Sequence, residues 1–145
     1  MKKALWVVLS VFVLSALILT ACSSGGESGE SIERQSPPAD YANATNPYDG
    51  QADAVAQGKD LFTTNCSSCH GENADGTGAA GAALDPKPAN LQQTAKETDP
   101  AYMHWVISEG GQAAGLSSAM VAYKGILSND DIWKIVTYLE SSYGK

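Results

Sequence analysis

Residues 53–145 are predicted to form a small all-α domain of three main helices. Apolar residues recur at helical spacing in three stretches, and each stretch is bracketed by capping or breaking residues. Between them no run alternates in the manner of a half-buried strand, and the chain carries no internal repeat.

The first helix is expected from about Asp53 to Asn65, where Val55, Gly58, Leu61 and Phe62 fall on one face. The second opens at Asp99-Pro100. Asp99 can cap it, and Pro100 suits a first helical position because its missing N–H has no partner there. Met103, Val106 and Ile107 make its apolar face, and Gly110-Gly111 closes it. The third begins after Ser128, with Asp131 three residues on as the second half of a capping box. Ile132, Ile135, Val136 and Leu139 then follow at i, i+3, i+4 and i+7. Between the first two helices the chain reads as irregular, rich in Gly, Ala and Pro.

Ahead of this domain the chain changes character twice. Met1-Lys2-Lys3 is followed by an uncharged apolar run that ends in "LTAC", residues 19–22. A basic head, an apolar middle and small residues at the end make an export signal over residues 1–21. The run is also long enough to be a retained membrane helix. "LTAC" resembles the lipobox of bacterial lipoproteins, which implies cleavage before Cys22 and lipid on its sulfur. Both readings leave the bulk of the chain outside the cytoplasm, tethered to the outer face of the cytoplasmic membrane. Residues 22–52 are rich in Ser, Gly, Glu, Pro, Asn and Asp and read as a flexible linker, with a reach of roughly 30 Å for a coil of that length.

Charge and cysteine count narrow the chemistry. The chain has 9 Lys+Arg and 16 Asp+Glu, and removal of residues 1–21 takes two lysines, leaving 7 against 16 and a net charge of −9. Such acidity argues against a nucleic-acid partner and suits either simple solubility or encounter with a basic protein surface. Of the three cysteines, assigning Cys22 to lipid leaves Cys66 and Cys69, too few for a four-thiolate zinc or iron–sulfur site.

Those two cysteines stand in "CSSCHG", residues 66–71. Cys-x-x-Cys-His is the attachment signature of c-type haem. Two thiols at this spacing reach two vinyl groups on one porphyrin edge, and the adjacent His70 can offer neutral imidazole to the iron. A thioredoxin-like pair would want a βαβ setting, which is missing, and a zinc site built on these residues would lack a fourth ligand. A covalent, largely apolar cofactor would also staple a domain whose own core is modest.

The stretch from Gly58 to Tyr143 resembles the class I c-type cytochromes. The resemblance lies in "GKDLFTTNCSSCHG", "KPANL", "DPAYMHWVISEGG" and "SSAMVAYKGILSNDDIWKIVTYL", in that order and spacing. It implies a small cytochrome c fold wrapped around one covalent haem c, with Gly58 and Phe62 crossing the last helix near Ile135 and Tyr138. It implies His70 and Met120 as iron ligands. Met103, His104 or an open sixth position are the alternatives to Met120. Val121 departs from the family, which usually has proline after this methionine, while Tyr123 stands where an aromatic residue is common. The resemblance also implies that a proline region gives a backbone carbonyl to the haem histidine, here carried to Pro88 rather than Pro86. Asn90 and Trp105 are candidates for haem propionates, or equally surface and packing residues. Met103 is otherwise core filler, and His104 is expected to face solvent or a local hydrogen bond.

With both axial positions filled by protein, the expected role is transfer of single electrons rather than catalysis. The partners implied are a quinol-oxidising complex and a terminal oxidase or photosynthetic reaction centre, with the chain as shuttle or as complex subunit. The likeness extends loosely to the lipoprotein monohaem subunit of alternative complex III. An open iron would instead make a haem enzyme or a gas or redox sensor, and a Cys66–Cys69 disulfide a passive lipoprotein.

Overall fold

The computed structural model describes residues 34–145. The export signal, the lipobox and Cys22 lie outside the described residues. Among the described residues there is no strand. The described residues form six α-helical segments: α1 (Ala39–Ala42), α2 (Ala52–Asn65), α3 (Ser67–His70), α4 (Leu91–Glu97), α5 (Pro100–Glu109) and α6 (Asn129–Tyr143). Short 3-10 turns occur at Ala79–Gly81 and Gly111–Ala114.

The three expected helices form where their signals stand. The Asp99 carboxylate accepts from the Ala101 N–H at 2.8 Å and opens α5 with Pro100 as its first residue. Ser128 and Asp131 make a reciprocal cap at the start of α6. The Ser128 hydroxyl accepts from the Asp131 N–H at 3.1 Å and donates to the Asp131 carboxylate at 2.7 Å. Helices α2 and α6 form the most extensive helix pair. A Cβ on Gly58 would run into the Lys134 carbonyl, so only glycine lets the two backbones approach this closely. Phe62 lies beside Tyr138 with ring centroids 5.5 Å apart. Around this crossing a core of Phe62, Met103, Ile107, Ile132, Trp133, Ile135, Val136 and Leu139 closes.

Two parts of the chain depart from expectation. Helix α4 falls in the stretch read as irregular. Its N-cap is Asn90, whose side-chain oxygen accepts from the Gln93 N–H at 3.2 Å. The larger difference is the linker. Residues 34–51, expected as coil, are laid against the domain as a strap. The Gln35 N–H donates to Ala114, the Tyr41 hydroxyl to Glu109 at 2.6 Å, and the Asn46 amide to the Thr137 hydroxyl at 2.9 Å. The Tyr41 ring packs 5.6 Å from that of His104, and the Lys134 ammonium sits over the Tyr48 ring. These few anchors offset the ordering cost of a polar segment, which composition alone does not reveal.

The strap changes what its neighbours bury. Tyr102, Trp105 and Ala114 form a second apolar cluster with Tyr41 against it, so α5 is covered on two sides. His104, expected at the surface or in a local bond, is buried instead. It stacks on Trp133 at 4.0 Å and its Nε2 meets the Asn129 side-chain oxygen at 3.0 Å, twenty-five residues away.

Candidate haem-binding site

Helix α2 runs directly into the cysteine turn. The Cys66 N–H donates to Phe62 at 2.8 Å, the His70 N–H to Cys66 at 2.9 Å, and the Gly71 N–H to Ser67 at 2.8 Å. One helical turn therefore carries positions 66, 69 and 70, whose i, i+3, i+4 spacing sets both thiols and the imidazole on one face. The chain then doubles back over this turn. The Gly76 N–H donates to the His70 carbonyl at 2.8 Å and the Gly78 N–H to the Cys69 carbonyl at 3.1 Å. Gly78 passes so near that a Cβ there would strike the carbonyls of Ser68 and Cys69.

The returning chain also orients the imidazole. His70 Nδ1–H donates to the Ala89 carbonyl at 3.0 Å. The acceptor is Ala89 and not Pro88, the residue to which the family pattern was carried. Pro88 instead packs its ring beside Gly81, where a Cβ would collide with it. The loop holding Ala89 is itself anchored, because the Leu91 N–H donates to Ala74 at 2.8 Å and the Gln92 amide to Asn73 at 2.7 Å. With Nδ1 engaged, Nε2 is left as the lone-pair donor. Burial holds the His70 pKa below its ordinary value, and the Ala89 carbonyl opposes this in part, so the ring is neutral near pH 7.

The two thiols are free, and burial, with Cys69 adding to it, pushes the Cys66 thiol up to about 12. A redox-active or metal-binding cysteine pair works through thiolate, which a lowered value would favour. Cys66 shows the opposite and packs against the main core. This donor set fits a covalent haem: two free thiols and one oriented neutral imidazole on a single turn.

Met120 lies in the loop between the Gly111–Ala114 turn and α6, half-buried against the core. The Gly111 N–H donates to the Met120 carbonyl at 2.9 Å, the Tyr123 N–H to Ile107 at 3.0 Å, and the Lys124 N–H to Ser108 at 3.1 Å. The loop therefore runs back along the end of α5. The Tyr123 hydroxyl donates to the Asn65 carbonyl at 2.7 Å, immediately before Cys66. Burial, with the Cys66 and Cys69 sulfurs adding to it, raises the Tyr123 pKa and marks this loop as a neighbour of the cysteine turn. On the loop's other side the Lys124 ammonium meets Glu109 at 2.6 Å, the same carboxylate that accepts from Tyr41. These two partners hold the Glu109 pKa below its ordinary value.

Other candidates are engaged elsewhere. Met103 is sealed in the core, His104 stacks on Trp133, Asn90 caps α4, and Trp105 packs with Tyr102 and Ala114. Sequence reasoning missed Ala89, the Tyr123 hydroxyl bond and the Glu109 junction. Only the proline-region pattern pointed near one of them.

The cytochrome c family model matches residues 55–142. Cytochrome c6 of Leptolyngbya boryana is 36% identical over 88 residues, which span 61% of this chain and 91% of that protein. Among solved structures, cytochrome CL of the marine methylotroph Methylophaga aminisulfidivorans is similar with a TM-score of 0.52 and 25% identity, over 83% of this chain and 73% of that one. Sequence and fold thus agree with the thiol–imidazole turn, and the chain belongs to the cytochrome c family, an electron-transfer protein with one covalently bound haem c.

Proposed function

We propose that this protein is a membrane-tethered single-electron carrier of a respiratory or photosynthetic chain. Cys66 and Cys69 would carry the haem thioethers, His70 and Met120 would be the axial ligands, and Cys22 would bear the lipid. The observation that supports the site most directly is the His70 ring. Its Nδ1 is committed to Ala89, so Nε2 alone is free to ligate, beside two free thiols on the same turn. The haem would supply a one-electron couple, which ligation by Met120 and burial would shift toward the reduced form.

The chain's own residues do the rest. The Ala89 carbonyl fixes the imidazole tautomer and makes its other nitrogen a stronger donor. The backbone bonds of Tyr123 and Lys124 hold the Met120 loop against α5, which limits rearrangement of the protein during transfer. The acidic surface favours encounter with a basic partner such as a quinol-oxidising complex, terminal oxidase or reaction centre. Residues 34–51, the later part of the expected linker, are strapped to the domain.

Met120→Ala tests the ligand set. The expected product keeps its covalent haem, loses the weak red sulfur-to-iron band, binds carbon monoxide in the ferrous state and has a lower potential. Such a shift lies within the roughly 0.8 V that axial ligands command. An unchanged spectrum would assign the position to another residue. Cys22→Ser tests the tether. It is expected to move the full-length protein from the membrane fraction to the soluble fraction without changing its colour, and persistent membrane association would overturn the lipid anchor.

A further inference from the structure

The loop that carries Met120 lacks the proline that would stiffen it. Val121 follows the methionine and is 53% exposed. Something else must limit where the thioether points, and the structure contains one side-chain bond suited to that. The Tyr123 hydroxyl reaches across 58 residues of sequence to the Asn65 carbonyl at 2.7 Å. Asn65 ends α2, where a helix leaves carbonyls without intrahelical partners. Its own side-chain amide turns back to Leu61 at 2.8 Å, so the helix end is closed on one side by Asn65 and on the other by Tyr123.

Resting on the reading of Met120 as an axial ligand, we propose that Tyr123 is a positioning residue for it. Its hydroxyl ties the methionine loop to the residue next to Cys66 and so sets the register between the thioether sulfur and the cysteine–histidine turn. The burial pattern accords with this. Met120 and Tyr123 are partly buried against the core, while Val121 and Ala122 between them are exposed. The stretch is a short arch with both feet turned inward. Its backbone is pinned on the α5 side by the bonds of Tyr123 to Ile107 and Lys124 to Ser108. Among the described residues, the hydroxyl makes its one hydrogen bond to α2. Without the hydroxyl the arch can pivot on its α5 bonds, and the thioether then swings relative to the turn.

The test compares Tyr123→Phe with wild type and with Met120→Ala, each as full-length holoprotein. Phenylalanine keeps the ring and its core contacts, so covalent haem content and the cooperative fold are expected to survive. The red sulfur-to-iron band should weaken, the potential should fall, and ferrous carbon monoxide binding should become roughly ten-fold faster, the equilibrium factor that one such hydrogen bond commands. A merely structural hydroxyl would lower the melting temperature and leave band, potential and ligand-binding rate unmoved, which would overturn the proposal. Failure of the underlying ligand reading looks different, because Met120→Ala itself would then keep a normal band.

Discussion

Replacement of both Cys66 and Cys69 by serine is expected to yield a polypeptide with no covalent haem, even from a host able to attach it. Haem staining after denaturing electrophoresis should be lost completely, and the intact mass should equal that of the bare chain with its acyl groups. The cause lies in the single turn Ser67–His70. It presents two free thiols, and no other cysteine is among the described residues to replace them. Axial bonds from His70 and Met120 alone would leave a dissociable cofactor, lost under denaturing conditions. The fold should suffer as well. A cofactor that binds only the native state adds its binding free energy to stability, and a domain of this size has little in reserve. Serine at 66 adds a second penalty, because it sets a hydroxyl against the apolar core that the Cys66 sulfur contacts. Staining that survives denaturation in the double variant would refute the assignment of the thioethers.

The parts of this structure that were legible in the sequence are those where local chemistry and periodicity agree. Asp99-Pro100 and Ser128 with Asp131 announce two helix starts because capping needs only neighbours in sequence. The Gly58 and Phe62 crossing against Tyr138 was implied by the family pattern, and there a Cβ on Gly58 would strike the Lys134 carbonyl. What was not legible depends on distant partners. Helix α4 offers only Leu91 and Ala95 as apolar positions and owes its place to bonds with Asn73 and Ala74. The strap reads as coil since its anchors are single residues, Tyr41, Asn46 and Tyr48, whose receiving sites lie on α5 and α6. His104 follows from the same omission. A polar residue beside an apolar stripe reads as outward-facing until a strap covers that side. Ala89 shows a different limit, because a backbone carbonyl leaves no mark on residue identity. The family pattern came within one residue of it and could not come nearer.

The crossing of α2 and α6 yields the second large effect. Gly58→Val is expected to destabilise the holoprotein by at least about 3 kcal/mol, at the upper end for overpacking a core. For a domain of this size that is a fall in melting temperature of more than about 12 °C. The atoms a side chain would meet are the Lys134 carbonyl and the Tyr138 Cβ, both fixed by α6 itself, so no rotamer change can relieve the clash. The helices must part, and Phe62 then loses its place against Tyr138. Gly58→Ala separates the causes. Alanine favours a helix interior by about 1 kcal/mol over glycine, so an isolated α2 would gain from it. In this crossing the single methyl already collides with backbone, and a net loss of stability is expected. A gain would mean that the two backbones do not touch. The consequence reaches the cofactor, because α2 ends at Asn65, where Tyr123 is tied, and continues into Cys66. Displacing α2 therefore moves the thiol turn and the anchor of the methionine loop together. The sulfur-to-iron band should weaken in Gly58→Val at temperatures where the helices are still folded by circular dichroism. A band that disappears only with the helices would show that the crossing supports the fold without setting the axial bond.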